Sequence, residues 1–255
     1  MNDSHFVPHW QLDGSGSIGR VGVLTPDFDP VPESEMWAMT PRGVSIHASR
    51  VPWNRNTRSF AEPPHVDTAV ELLAGLTPDV IVYAFTGSSY VLGAQGDDAL
   101  RTRLEKRASG IPIVLTAPAA SEALRILRVQ RLALIHPPWF SEEVSAAGKD
   151  YFVSRGIEVV YCTRMTPARP FTEVLPAEVY AWTKANVPQD AEGVFIGGNG
   201  LRAIGVIQAL EDTLGRPVLT ANQVAFWQAL RRIRRTSDVS LYGRIFTERA
   251  AQQQA

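Results

Sequence analysis

Val80-Ile81-Val82-Tyr83-Ala84-Phe85-Thr86-Gly87-Ser88-Ser89 is the stretch that decides the fold. An apolar run without polar alternation predicts a strand covered on both faces, as in a parallel sheet. It runs straight into small, polar and glycine residues, the composition of a tight turn that opens a helix. The same order returns at Gly193-Val194-Phe195-Ile196-Gly197-Gly198-Asn199-Gly200. Such a turn offers free backbone N–H groups and the positive end of a helix dipole, and both suit an anion. Two of them predict a site that grips a carboxylate between two lobes. Neither turn contains the nucleophile or base expected at such a place, so the position of the site is clearer than its chemistry.

Outward from these turns, Val/Ile/Leu-rich runs alternate with amphipathic stretches. Strands are predicted at 21–24, 44–48, 80–84, 111–115, 132–135, 158–161, 194–196 and 218–219. Helices are predicted at about 65–76, 97–108, 118–128, 141–155, 176–186, 201–214 and 223–233. The segment Ile111-Pro112-Ile113-Val114-Leu115-Thr116-Ala117 is echoed by Arg216-Pro217-Val218-Leu219-Thr220-Ala221-Asn222. The whole order repeats at an offset of about 105–113 residues. The expected fold is therefore α/β, with two similar open parallel-sheet, flavodoxin-like lobes related by a pseudo-two-fold axis. Ligands of open parallel sheets bind beyond the carboxyl ends of the strands, so both turns should face one cleft.

The predicted division is a tail at 1–17, a first lobe at 18–115 completed by the C-terminal 225–255, and a second lobe at 116–224. Gly14-Ser15-Gly16-Ser17-Ile18-Gly19 matches the dinucleotide fingerprint in letters only. It precedes the first strand, whereas the fingerprint must follow one.

The bulk properties narrow the function. A net charge of −1 gives no reason to expect nucleic acid or an anionic membrane as partner. No window reaches the roughly 20 apolar residues of a membrane span, and no signal-peptide pattern opens the chain. A cytoplasmic location is the default. The single cysteine, Cys162, excludes an internal disulfide and a cysteine zinc site, and reads as a structural thiol within a strand. Arg231-Arg232-Ile233-Arg234-Arg235 reads as a solvated helix end. No metal-ligand spacing and no phosphate loop is present, so no metal or cofactor is expected. A homo-oligomer is left open.

Five segments in order resemble the aspartate/glutamate racemase superfamily, in its maleate cis-trans isomerase and arylmalonate decarboxylase branch. They are Gly22-Val23-Leu24-Thr25-Pro26, Ala84-Phe85-Thr86-Gly87-Ser88-Ser89-Tyr90, Phe195-Ile196-Gly197-Gly198-Asn199-Gly200-Leu201-Arg202, Leu219-Thr220-Ala221-Asn222-Gln223 and Tyr242-Gly243-Arg244-Ile245-Phe246. The resemblance covers nearly all of the chain after residue 19. It implies cofactor-independent isomerase or lyase chemistry at the carbon next to a carboxylate. In that branch a cysteine stands in one or both turns; here the positions are Phe85 and Gly198. The family's tyrosine after the first strand of the second lobe is also missing, since that region reads His136-Pro137-Pro138-Trp139-Phe140. Two-cysteine racemization and thiolate addition are excluded by residue inventory. Turns without cysteine resemble a racemase-like member encoded with ectoine-utilization genes.

The candidate ligand contacts are Thr86, Gly87, Ser88 and Ser89 in the first turn, and Gly197, Gly198, Asn199 and Gly200 in the second. For both turns the alternative is a plain strand-to-helix connection with capping hydroxyls. The absent side chain at Gly198 is expected to leave room for a ligand, with Phe85 as an apolar wall opposite. Asp29, in the loop after the first strand, is a candidate base or ammonium partner, or else a turn residue before proline. His136 occupies the equivalent place in the second lobe and suits proton transfer near neutrality. Asn222 is a further candidate contact. The expected function is binding of a small carboxylate, derived from ectoine or another amino acid, at the lobe interface, with isomerase or decarboxylase chemistry. The alternative is a binding or accessory protein that has lost catalysis with its cysteines.

Overall fold

The computed structural model describes residues 16–168, 170–235 and 239–247. Most of the expected tail, part of the 14–19 glycine motif and most of the segment after 235 lie outside the described residues.

Among the described residues eight short strands form two sheets of four. β1 (Gly19–Pro26), β2 (Val44–Val51), β3 (Val80–Tyr83) and β4 (Ile113–Leu115) pair in the order β2-β1-β3-β4. β5 (Arg131–His136), β6 (Glu158–Arg164), β7 (Gly193–Ile196) and β8 (Val218–Thr220) pair as β6-β5-β7-β8. Every pairing is parallel. The identical order in both sheets is the structural form of the sequence echo, and it gives the two-lobed α/β fold.

The strands read as continuous apolar runs because each sheet has two dry faces. Val21, Val23, Val80, Val82 and Val114 of the first sheet join Leu132, Leu134, Phe195 and Leu219 of the second in one central core. The alternate residues Leu24, Ile81, Tyr83 and Ile113 face an outer core in the first lobe. Ala133, Ile135, Val194 and Ile196 do the same in the second. Side chains alternate across a strand, so one run serves two cores.

The helices are α1 (Val31–Met39), α2 (His65–Ala74), α3 (Thr86–Arg107), α4 (Thr116–Ile126), α5 (Glu142–Ser154), α6 (Pro176–Asn186), α7 (Ile207–Leu214) and α8 (Ala221–Arg232). α4 and α8 pack against each other in the central core, where Ala117, Ala120, Ala123, Ala221, Ala225 and Ala229 let the backbones approach. α8 also touches β3, β4 and α1, so the segment after the last strand crosses back onto the first sheet.

Three expectations about helices are corrected. α1 has no counterpart in the sequence reading; its prolines mark a start, with Pro32 in the first turn where its missing N–H costs nothing. α3 begins at Thr86, where the first turn is expected to open a helix, and so runs on into the helix expected at 97, with a kink at Gly93 (φ 68°). The second turn does not open an α-helix. A 3-10 turn at Ile204–Val206 intervenes, and α7 starts only at Ile207.

Candidate active site

Both turns reach one cleft of about 400 Å³ between the lobes. The first lobe supplies Phe28 and Asp29 after β1, Trp53, Arg55 and Thr57 after β2, and Phe85, Thr86 and Gly87 after β3. The second supplies Trp139, Phe140, Ser141 and Val144 after β5, and Gly198, Asn199 and Gly200 after β7. All of them follow the carboxyl ends of strands, where open parallel sheets bind ligands.

The polar floor is the meeting of the two turns. The Thr86 amide and its Oγ1 donate to Asn199 Oδ1 at 2.8 and 2.6 Å. Asn199 Nδ2 donates to Asn222 Oδ1 (2.8 Å) and Thr116 Oγ1 (3.3 Å). Asn222 Nδ2 donates to the Asn199 carbonyl (2.8 Å) and to Glu35 Oε2 (2.7 Å). Asn222 therefore supports the floor from beneath and does not line the cleft. The Thr86 hydroxyl has spent its proton on Asn199, so what it can still give a ligand is an acceptor lone pair. Gly87 lines the cleft, and its amide, the next in the first turn of α3, has no acceptor within its own helix.

Asp29 is 5% exposed and accepts from the Val31 amide at 3.0 Å through Oδ1. Its Oδ2 points toward the second turn: a methyl group placed on Gly200 would lie 2.9 Å away. Burial pushes its carboxyl up to about 6, against the pull of the Val31 amide and the Arg50 guanidinium. Arg50 itself donates to the Asp29 carbonyl and to Glu33, which fixes the loop.

Several sequence candidates lie elsewhere. Ser88 Oγ sits 2.8 Å from the Tyr83 hydroxyl and donates to the Phe85 carbonyl, and Ser89 is buried beside Asp97. Both belong to the helix interior and not to the cleft wall. Gly197 is packed beneath, against Tyr90 and His136. His136 is 0% exposed, because the period of β5 places it on the same face as Leu132 and Leu134, toward the central core. Its Nδ1 pairs with Ser145 Oγ at 2.8 Å, and its ring lies between Tyr90 and Phe140. Burial, with Arg164 nearby, drives its pKa down to about 3. It is a neutral core side chain at pH 7 and does not fit the role of proton carrier in the cleft.

The expected room at Gly198 is also absent. Its φ is +87°, and a Cβ there would come 2.2 Å from Pro137 Cγ. Pro137 already fills the space next to the turn, so glycine is required at 198 by both backbone and packing. Cys162 is half-buried on β6, 3.7 Å from the Ser145 carbonyl, and does not line the cleft.

The sequence reading had no signal for most of the cleft's walls. Five aromatic residues line it: Phe28, Trp53, Phe85, Trp139 and Phe140. The Phe85 ring packs against Phe60 at a 43° tilt with centroids 4.2 Å apart and meets Trp53 edge-on at 5.2 Å. Arg55 is exposed at the mouth and brings the cation that an anionic ligand would meet on entry. Apart from Phe85 none of these rings is legible in the sequence, since aromatic residues on loops carry no periodicity. Among the described residues no group of three His, Cys, Asp or Glu side chains is placed to hold a metal ion.

The family profile of arylmalonate decarboxylase matches residues 62–246. The chain belongs to this family. Its fold is also that of Nocardia farcinica maleate cis-trans isomerase, solved as a cysteine-to-serine variant with a covalent succinylcysteine intermediate, at 20% identity and a TM-score of 0.82 over 91% of this chain and 99% of that one. The maleate isomerase of Pseudomonas putida S16, a cysteine-to-alanine variant with maleate, matches at 20% identity and a TM-score of 0.76, covering 90% of this chain and 97% of that one. An arylmalonate decarboxylase structure matches at 22% identity and 0.75, covering 90% and 100%. No curated relative matches the sequence. The family's members in these structures are isomerases and decarboxylases, and no helix among the described residues of this one is long and apolar enough to cross a membrane.

Proposed function

We propose that this family member binds a small carboxylate in the interlobe cleft and moves a proton at the carbon next to it, with Asp29 in the part that a thiol plays in its relatives. The observation that carries the reading is the buried Asp29 carboxyl, aimed across the cleft at the second turn, with a pKa near 6. A base poised close to neutrality both accepts and returns protons. The amides of Gly87 and of the Gly198–Gly200 turn suit the ligand carboxylate as it takes on enediolate charge. The five aromatic rings hold the apolar part of the ligand and keep water out.

In isomerisation, Asp29 takes the proton from carbon, the electron pair moves into the enediolate, and a proton returns to carbon. In decarboxylation, the breaking C–C bond leaves its electron pair on the enediolate, carbon dioxide departs, and protonated Asp29 supplies the carbon with a proton that solvent replaces. Resemblance to the branch encoded with ectoine-utilization genes makes ectoine-derived carboxylates the first compounds to test, in a cytoplasmic setting. The test is proton NMR in D2O with phenylmalonate, phenylacetate, maleate and ectoine-type amidine carboxylates. Deuterium entry next to the carboxylate, or loss of carbon dioxide, is expected with at least one, and is lost in Asp29→Asn. A panel without turnover for the wild-type protein would sink the enzyme reading.

One observation favours a second reading, a binding protein without catalysis: both turns lack a thiol, and Pro137 closes the space beside the second. Calorimetric binding of one of these compounds without exchange would decide for it.

A further inference from the structure

We propose that Glu35 is the positioning residue of the cleft: its negative charge sets the orientation of the Asn222 and Asn199 amides and so holds Thr86 onto the second turn. The inference rests on the reading of that cleft as the binding site only for its functional meaning.

Glu35 projects from α1 and is 7% exposed. Its Oε1 accepts from the amides of Ala203 (2.7 Å) and Ile204 (3.1 Å), and its Oε2 accepts from Asn222 Nδ2 (2.7 Å). All three partners are donors. A carboxylate has only acceptors to offer, so Asn222 must turn its Nδ2 toward Glu35. That leaves Asn222 Oδ1 to face Asn199, which must answer with its own Nδ2. Asn199 Oδ1 is then left for the two donors of Thr86. Each amide answers the one before it, the Asn199 carbonyl asking for the same face of Asn222, and the relay runs from the first lobe through the second and back. Thr116, whose hydroxyl is turned toward the Tyr83 carbonyl, backs the same orientation of Asn199.

A protonated Glu35 breaks this logic. Its new O–H would point at one of three donors. Turning Asn222 over would set its oxygen against the Asn199 carbonyl and its NH2 against the Asn199 NH2. Either way a buried polar contact is lost, at a cost that the neighbours must share. Burial raises the Glu35 carboxyl to about 7, with the Asn222, Ile204 and Ala203 bonds pulling down and the Asp29 charge pushing up. Around it, Arg50 of β2 is engaged with Glu33 and the Asp29 carbonyl, Tyr242 donates to the Ala38 carbonyl, and α8 presents the uncharged Asn222. Asp29, the base of the proposed reaction, is thus the charged group that tunes it.

The test is the 15N–1H spectrum of the full chain between pH 5 and pH 9. The Ala203 amide reports Glu35 directly. The Asn222 and Asn199 side-chain amides and the Thr86 backbone amide report the relay. All four are expected to shift in one common step in the wild-type protein. Glu35→Gln should abolish the step and leave the relay signals near their low-pH positions. Asp29→Asn should keep the step and move it to lower pH, because a neighbouring negative charge is gone. Asn222→Ala should preserve the Ala203 step and lose it at Thr86. A wild-type Thr86 amide that stays flat while Ala203 titrates overturns the proposal, as does a Thr86 step that survives Glu35→Gln or Asn222→Ala. Flat signals at all four overturn it as well, and because no ligand enters, none of these results bears on whether the cleft binds a carboxylate.

Discussion

Thr86 and Asn199, 113 positions apart in sequence, close the floor of the cleft through one oxygen: Asn199 Oδ1 accepts from the Thr86 amide at 2.8 Å and from Thr86 Oγ1 at 2.6 Å. Both residues are buried, so this contact joins the two lobes where solvent cannot replace a lost partner. It also removes the Thr86 amide from the donors left for a ligand and makes Gly87 the first free one.

Thr86→Val removes the hydroxyl and keeps the shape, while Asn199→Ala strands the Thr86 amide and Asn222. We expect losses of about 1–3 kcal/mol for each and a coupling of about 0.5–3 kcal/mol in the double-mutant cycle. Urea denaturation of the four proteins measures it. Simple additivity would show that the two side chains do not share the oxygen.

Asp29→Asn should reduce exchange at the carbon next to the carboxylate by about 100-fold or more, as expected for a lost general base. With Asp29 intact, the exchange rate should climb with pH and level off above about 6, where the carboxylate is formed. Deuterium incorporation followed from pH 4.5 to 8 gives both results. A pH profile that is flat in the wild-type protein would remove Asp29 from the reaction.

Gly198→Cys places a side chain where Pro137 stands, on a backbone with φ +87°. The left-handed conformation costs about 1–2 kcal/mol and overpacking about 1–3 kcal/mol. We expect the single variant to lose the sum. Adding Pro137→Ala, which leaves only a Cβ 3.6 Å away, should recover the packing part. Equal stabilities of the single and double variants, measured in urea, would show that the two positions do not collide.

His136 should give an acid-sensitive contribution to stability. Its folded pKa is about 3 against an ordinary 6.5, so the unfolded chain binds a proton that the folded one refuses. The stability it supports is complete above 6.5 and drains away as the pH falls toward 3, by up to about 1.4 kcal/mol per pH unit. Asp29, Glu35 and Asp97 are shifted upward and act in the opposite sense, losing stability as the pH rises from their ordinary 3.8 to 4.5 up to about 6 to 7. The difference between wild-type and His136→Phe melting curves from pH 4 to 7 isolates the histidine. A pH-independent difference would mean that His136 is charged or solvated in the folded protein.

Local patterning by itself determined the two-lobed parallel architecture. Val80–Tyr83 and Gly193–Ile196 are apolar at every position because each strand feeds two cores, and that requirement is written into the chain residue by residue. The turn glycines and the Thr86 and Asn199 side chains were legible for the same reason, since a tight turn after a buried strand needs them locally. Tertiary structure alone decided the rest. His136 and Asp29 both stand at the carboxyl end of the first strand of their lobe, yet His136 is the last residue of β5 and the strand's period turns it into the core, while Asp29 sits on the loop beyond β1, whose path is set by Arg50 and Val31. The loss of room at Gly198 depends on Pro137, and the role of Glu35 on Ala203 and Asn222, far along the chain. Which side chains meet across an interface depends on packing between distant segments, and no local period of apolar residues encodes it.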